Sequence, residues 1–575
     1  MSDEWFIDSK PSRVFPAWTR GNAADVFADP ASPFMRTFYL RPAMAAGLRD
    51  AYIAMGAYDW DEMEEPENPD LFGVFGGYVY NPLSMTRVFG ARLPGATPEA
   101  IDKAFFDDRP DVPPYAPEPW HESDKHAELL GATVGWTLSV TELPDLDRDK
   151  IIADRARSER PNLAELDVRP LLARARAILP YLRQAFETGM LVSTMSSVGP
   201  GALGAICESL GDPSLSIRLL AGIDVDSADP PRAMWALSRL ARKSAELTAE
   251  FEAGVAGLDE RLRAATTEDA TAFVVDFDQF LFLYGSRGPN EWDVAAKSWE
   301  VRPRTALAAI DRMRVSAESQ APVVRHEHSV AERDRVAADV RAKIAGDPET
   351  AGLFDMAMRS AALFLSGRER YKANCIKLVN EIRMCMREVG KRMVERGVIA
   401  EVDEIFMITA AELDEFALQP ERFSEAIADR WVRYRDLFDI EPVFVVNGTP
   451  PPLGEWPRRS RANVTIAKSG DVLTGKAGSG GVATGRARVI LDAADPGDLE
   501  PGDVLVAPQT DPSWTPLFVP ACAVVVNVGA MGSHAMIVSR ELGIPCVASV
   551  QDATARIPDG AIITVDGNAG TVTIH

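Results

Sequence analysis

The sequence predicts a multidomain protein, a mainly α-helical region followed by a smaller C-terminal α/β domain. Three observations predict it. The chain has 575 residues, more than one ordinary hydrophobic core organises. Apolar residues recur at spacings of three and four across much of residues 1–440. Near the C-terminus, Ala521–Val550 reads instead as strand, glycine-rich loop, helix and strand. The expected division is 1–440 helical, 441–470 linker and 471–575 α/β.

Composition narrows the classes. Hydrophobic residues make up 46% and charged residues 25%, the balance of a globular chain. Sixty-one basic against 85 acidic residues leave a net charge of −24, which argues against nucleic-acid or anionic-membrane partners. MSDEWFIDSK is charged and lacks the apolar centre of a signal peptide. No apolar stretch is expected to reach the roughly 18 residues of a membrane span. The five cysteines, 207, 375, 385, 522 and 546, have no CxxC spacing and are expected to be reduced core thiols. These readings together predict a cytoplasmic protein with no disulfide framework and no metal.

Residues Trp18–Asn22 and Asp29–Pro33 form a polar, turn-rich entry. Leu71–Leu83 is a glycine-broken aromatic strand segment. Helices are expected over Leu171–Thr188, interrupted at Pro180, and over Ala233–Leu262, Ala270–Leu283 and Met356–Gly397. In the last, Ile376, Val379, Ile382, Met386, Val389 and Met393 define one stripe, either core packing or a hydrophobic substrate face. The loop Tyr284–Asp293 gathers Arg287, Glu291 and Asp293. It is either pinned by its own ion pair or a site in which the guanidinium holds an anion and a carboxylate takes a proton. Residues 441–470, rich in Pro, Gly and Arg, read as a tether.

Two motifs mislead. Gly470–Lys476 fits the first half of a nucleotide-binding loop, but Ala477 stands where magnesium needs a hydroxyl, and AGSGGVATG cannot form the helix that must follow. His326 and His328 are two residues apart, on opposite sides of a helix and without a local carboxylate cluster, so no metal is expected there. His121, His126 and His575 are expected at the surface.

In the C-terminal domain, Ala521–Val528 is expected as a buried strand, followed by the loop Gly529–Ser533. A helix is expected to start at His534 with Ser533 as N-cap and to stop before Gly543, with Pro545 beyond and Cys546–Val550 as the next strand. His534 then sits at a helix N-terminus, where unpaired N–H groups and the dipole favour a bound anion and a neutral imidazole. The plainer reading is a histidine that only caps the helix.

The motif Gly529-x-x-Gly532-Ser533-His534-Ala535 followed by Ser539–Pro545 resembles the phosphohistidine swivelling domain of the PEP-utilising enzyme family. Gly480–Ala487, Pro501–Val506, Thr510–Pro516 and Val565–Gly570 match further family segments in order, with Ala530 replacing a frequent glycine. Tyr284–Asp293 resembles the GHRGPxExD segment of the family's acceptor domain, with Ser286 in place of the histidine. The layout is similar to rifampin phosphotransferases and to phenylphosphate synthase-type subunits that lack an ATP-grasp domain.

The resemblance implies a helical acceptor-binding domain followed by a swivelling phosphohistidine domain. It implies His534 as the catalytic phosphocarrier, with Gly532, Ser533 and Arg287 binding phosphate and Glu291 and Asp293 on the acceptor side. By the same layout the ATP-grasp domain and the PEP/pyruvate barrel are not expected in this chain. Mg-ATP is then expected on a separate ATP-grasp subunit, and the acceptor is a small apolar or aromatic hydroxyl compound. Two alternatives accompany this reading: a phosphoryl-driven dehydratase or condensing enzyme, and a binding protein that keeps the fold without turnover.

Overall fold

The computed structural model describes residues 4–63, 70–106, 112–459, 465–493, 497, 499–510, 514–529 and 533–575. The chain divides into two compact units. The first comprises Met1–Met195, Trp292–Ala296 and Arg370–Ser460, and the second Ser196–Glu291, Lys297–Glu369 and Arg461–His575. This is not a division at 440 and 470. The helix Pro348–Glu395 gives its first part to the second unit and the remainder to the first, so the helical region is shared between them.

The first unit is mainly helical with four short strands. These are β1 (Ala17–Thr19), β2 (Gly73–Phe75), β3 (Tyr78–Tyr80) and β4 (Val445–Asn447). The segment read as a polar entry is instead buried: β1 pairs antiparallel with β4, and Trp18 is 1% exposed. Arg20 donates to the carbonyls of Val79 and Phe27 at 2.6 and 2.9 Å, which satisfies a guanidinium taken out of water. β2 and β3 form a hairpin whose turn residues Gly76 and Gly77 have φ of 55° and 80°, a pair of positive values that glycine adopts without steric cost.

The stretch expected as a tether is built into this unit as far as 459. Val445 and Val446 suit a strand, and the Trp456 indole is buried, so the backbone there is not free. Residues 460–464 lie outside the described residues.

Pro180 does not interrupt its helix, which runs from Val168 to Met195. A proline inside a helix removes one backbone donor and costs about 3 kcal/mol. Packing of Leu171, Leu182, Phe186 and Val192 in the core offsets that cost, since each buried side chain of this size contributes about 1.5–3 kcal/mol. By length and composition alone the run Val168–Ser209 would also suit a membrane crossing, contrary to the expectation that no stretch would. Six stripe residues of the helix Pro348–Glu395, from Ile376 to Met393, are 0–1% exposed, which makes the stripe core and not a substrate face. Gly397, at φ 71°, lies just past the end of this helix.

The second unit combines helices with an eight-stranded sheet. The helix expected over Ala233–Leu262 is three pieces, Asp229–Lys243, Ala245–Glu252 and Leu258–Ala264. Ser244 caps the second by accepting from the Leu247 amide at 3.3 Å, and Gly254 and Gly257 take positive φ before the third. Phe251, Phe273, Phe277, Phe280, Trp299 and Ile310 form the helical core.

The sheet strands are β5 (Val472–Thr474), β6 (Lys476–Ser479), β7 (Val482–Val489), β8 (Val504–Ala507), β9 (Ala523–Val526), β10 (Cys546–Ala548), β11 (Ile562–Asp566) and β12 (Thr571–Ile574). Their order is β5-β12-β11-β7-β8-β9-β10-β6, with β7 to β10 parallel. β8 and β9 are buried along their whole length, which explains their unbroken valine runs. Gly470–Lys476 enters β5 and β6, with no helix after it.

Candidate active site

The helix His534–Leu542 connects β9 to β10 and starts beyond the C-terminal end of β9, where open α/β sheets place their ligands. Met536, Val538 and Leu542 anchor it on the sheet. Gly543, at φ 63°, ends it as expected. Ser533 stands at the N-cap position with extended backbone, yet its hydroxyl makes no capping bond, and Oγ is buried with no hydrogen-bond partner among the described residues. Gly532 lies outside the described residues.

The His534 side chain is 7% exposed. Its Nδ1 lies 3.0 Å from Thr510 Oγ1 and its Nε2 3.0 Å from Thr515 Oγ1, and the ring meets Phe518 edge-on at 5.8 Å. A neutral imidazole has one N–H donor and one acceptor nitrogen, and each hydroxyl serves in either sense, so the two threonines jointly hold the ring and its tautomer. Both belong to the Thr510–Pro516 motif. Sequence reasoning singled out that motif without giving either threonine a role.

The next residues of the helix fix its position. Arg540 Nε donates to the Gly478 carbonyl of β6 at 2.8 Å, and complete burial lowers this guanidinium to about 10. Glu541 meets Arg232 and His326 and is 4% exposed. Burial pushes its carboxyl up to about 8, against the opposing pull of Arg232.

Arg287 and Glu291, both in the second unit, are buried and paired at 3.1 Å. The Gly288 amide donates to Glu291 Oε2 at 3.3 Å, and the Trp299 amide to the Arg287 carbonyl at 2.7 Å. Arg287 Nη2 is buried with no hydrogen-bond partner among the described residues. Asp293 belongs to the first unit. It accepts from the Ser32 amide at 2.8 Å, the Ser32 hydroxyl at 2.7 Å and the Ala295 amide at 2.9 Å, and burial raises its carboxyl. Its oxygens are engaged in holding Ser32 and the Ala295 amide, the contacts of a structural brace.

Two groups bring three ligand-type atoms within 4.8 Å of one another, Asp59, Glu62 and His126, and Asp224, His326 and Glu541. In each an arginine already supplies the positive charge: Arg92 pairs with Glu62 at 2.6 Å, and Arg232 with Asp224 at 2.8 Å and Glu541 at 3.1 Å. The second group corrects the expectation that His326 has no carboxylates around it, since they arrive from segments distant in sequence. His121 and His126, expected at the surface, are buried, the latter 2.8 Å from the Gly56 carbonyl through Nδ1.

Residues 187–369 match the family described as rifampicin phosphotransferase fourth domain, and residues 499–570 match the PEP-utilising enzyme mobile domain. A rifampicin phosphotransferase of Streptomyces sviceus is 32% identical over 56% of this chain and 37% of its own length. An uncharacterised protein of Mycobacterium tuberculosis is 26% identical over 97% of this chain and 61% of its own. A chondramide synthase of Chondromyces crocatus is 29% identical over 64% of this chain and 10% of its own. The chain thus spans less than two thirds of each of these relatives.

Proposed function

We propose, for a member of the PEP-utilising enzyme family that resembles rifampicin phosphotransferase, that the chain is the phosphohistidine-bearing part of an ATP-dependent phosphotransferase. The observation that carries this is His534 at the start of its helix with both ring nitrogens on threonine hydroxyls. In this reading the unprotonated imidazole nitrogen exchanges its threonine hydroxyl for phosphorus and attacks a phosphoryl group of Mg-ATP held by a separate ATP-grasp subunit. An N–P bond forms as the P–O bond to the nucleotide breaks. A hydroxyl oxygen of a small apolar or aromatic acceptor then attacks phosphorus, the N–P bond breaks, and the hydroxyl proton passes to Glu291. The buried Arg287 guanidinium, with an uncommitted Nη2, steadies the charge of the transferring group.

Intact mass at alkaline pH after incubation with Mg-ATP, alone and with a candidate ATP-grasp protein, tests this reading. An acid-labile phosphoryl group on His534 that requires the second protein is the expected result. A stable phosphate ester of the acceptor separates phosphotransfer from dehydration or condensation, which would release free phosphate.

Two variants refine the roles. Thr510→Val and Thr515→Val are expected to slow phosphoryl uptake unequally. The larger loss, about tenfold, falls on the variant that strips the hydroxyl from the ring N–H, because one such bond is worth about 1–1.5 kcal/mol. Equal losses would mean the threonines only pack against the ring. Arg287→Lys keeps the charge but not the planar fork. It is expected to leave His534 phosphorylation unchanged and to slow transfer to the acceptor at least about tenfold, read by single-turnover kinetics.

A further inference from the structure

The helix that carries His534 also carries, seven residues on, a buried carboxylate that the phosphoryl chemistry does not use. Seven residues are about two turns, so Glu541 lies on the same side of the helix as His534, roughly 10 Å along its axis. Glu541 is 4% exposed, and its partners come from the helical residues matched to the fourth domain. Its Oε1 is 3.1 Å from Arg232 and 2.6 Å from His326 Nδ1, while Oε2 is buried with no hydrogen-bond partner among the described residues. Arg232 in turn holds Asp224 at 2.8 Å and Asp229 at 3.4 Å.

The surroundings of the carboxylate are largely apolar. Val225, Ala228, Pro231, Pro322 and Val538 close around the carboxylate and leave a gap of ≈ 10 Å³, at most the room for one water. Thr515, which holds His534 Nε2, lines the same gap. A buried carboxylate needs a compensating partner, and losing a cation from beside it leaves an uncompensated charge. Because the sheet domain supplies the carboxylate and the helical part supplies the cation, the pair is complete only while the two are docked as described.

We infer that Arg232 is a positioning residue, a latch that pairs with Glu541 to dock the phosphohistidine helix on the helical part of its unit, and that His534 leaves toward its donor only when this pair opens. The consequence for phosphoryl transfer rests on the function proposed above; the latch itself does not. It follows that the Arg232–Glu541 pair joins the two parts within a group that Asp224, Asp229 and His326 complete, and that Arg232 acts on the chemistry without touching the reacting atoms.

The test uses the full chain and the variants Arg232→Glu, Glu541→Arg, the double exchange, Arg232→Lys and Arg232→Gln. Hydrogen–deuterium exchange is followed in peptides covering 322–344 and 534–542, with 504–507 of the sheet as the reference for folding. Arg232→Glu and Arg232→Gln are expected to raise exchange at both docking faces at least tenfold while 504–507 stays protected. The double exchange should return it only in part, since the exchanged carboxylate would meet Asp224 and Asp229, and Arg232→Lys should lie between the parent and Arg232→Gln. Exchange at the parent level in both Arg232→Glu and Arg232→Gln, or exchange that rises equally in 504–507, would overturn the latch. In the same samples His534 phosphorylation should become faster, and transfer to the acceptor slower, in the Arg232→Gln variant. Absence of phosphorylation in every sample, parent included, would count against the proposed function while the exchange data still decide the latch.

Discussion

His534→Ala is expected to abolish phosphoryl transfer, by at least about 10⁴-fold, because in the proposed mechanism the imidazole is both the nucleophile that accepts the group and the leaving group that surrenders it. None of the described ring partners replaces it. The described partners of the ring are Thr510, Thr515 and Phe518, and a hydroxyl at neutral pH is a far weaker nucleophile than a neutral imidazole. The helix itself should persist. It is held by Met536, Val538 and Leu542 on the sheet and by Arg540 on Gly478, none of which the substitution touches. The cost to stability is that of two threonine hydroxyls losing a partner, about 1–3 kcal/mol. Intact mass and circular dichroism on one preparation check both parts. A variant that keeps its fold and still takes up an acid-labile phosphoryl group would move the carrier to another residue.

Asp293→Ala is expected to destabilise the first unit by about 3–5 kcal/mol, because it strands three buried donors at about 1–3 kcal/mol each. Three donors converge on this carboxylate, two from Ser32 and one from the Ala295 amide. Ser32 is fully buried and its hydroxyl also accepts from the Met35 amide at 3.2 Å, so the loss would spread to the start of the segment Pro33–Met35. Asp293→Asn does not rescue. Whichever way the amide turns, its NH₂ faces a backbone N–H, either of Ser32 or of Ala295. Urea unfolding followed by the fluorescence of buried tryptophans such as Trp292 and Trp18 reads the effect. If Asp293→Ala instead left the urea midpoint unchanged and lost only acceptor transfer, Asp293 would belong to the chemistry and not to the brace.

The parts of this protein that were legible in sequence are those whose signal is local. The valine runs of β8 and β9, the glycine that ends the histidine helix, and the stripe from Ile376 to Met393 each follow from a period or a backbone requirement within about twenty residues. The same holds for His534, whose place at a helix start depends on one strand, one loop and one stop. Pro180 was misread because a local rule, that proline breaks helices, was overridden by burial of Leu182 and Phe186 around it. Residues 441–459 were misread because a Pro- and Gly-rich composition says nothing about a distant partner strand, here β1.

By itself the sequence determined the two textures, the position of His534 at its helix start and the loop that joins Arg287 to Glu291, since each is a property of neighbouring residues. Tertiary structure alone decided which hydroxyls hold the imidazole. It also decided that Asp293 braces Ser32, and that Arg232, Asp224 and His326 surround Glu541. Those contacts join segments up to 309 positions apart, as Arg232 and Glu541 are. A hydrogen bond or ion pair across such a separation leaves no periodicity behind. It depends on which side chains the packed core leaves facing one another, and on the cost of burying a charge that nothing meets.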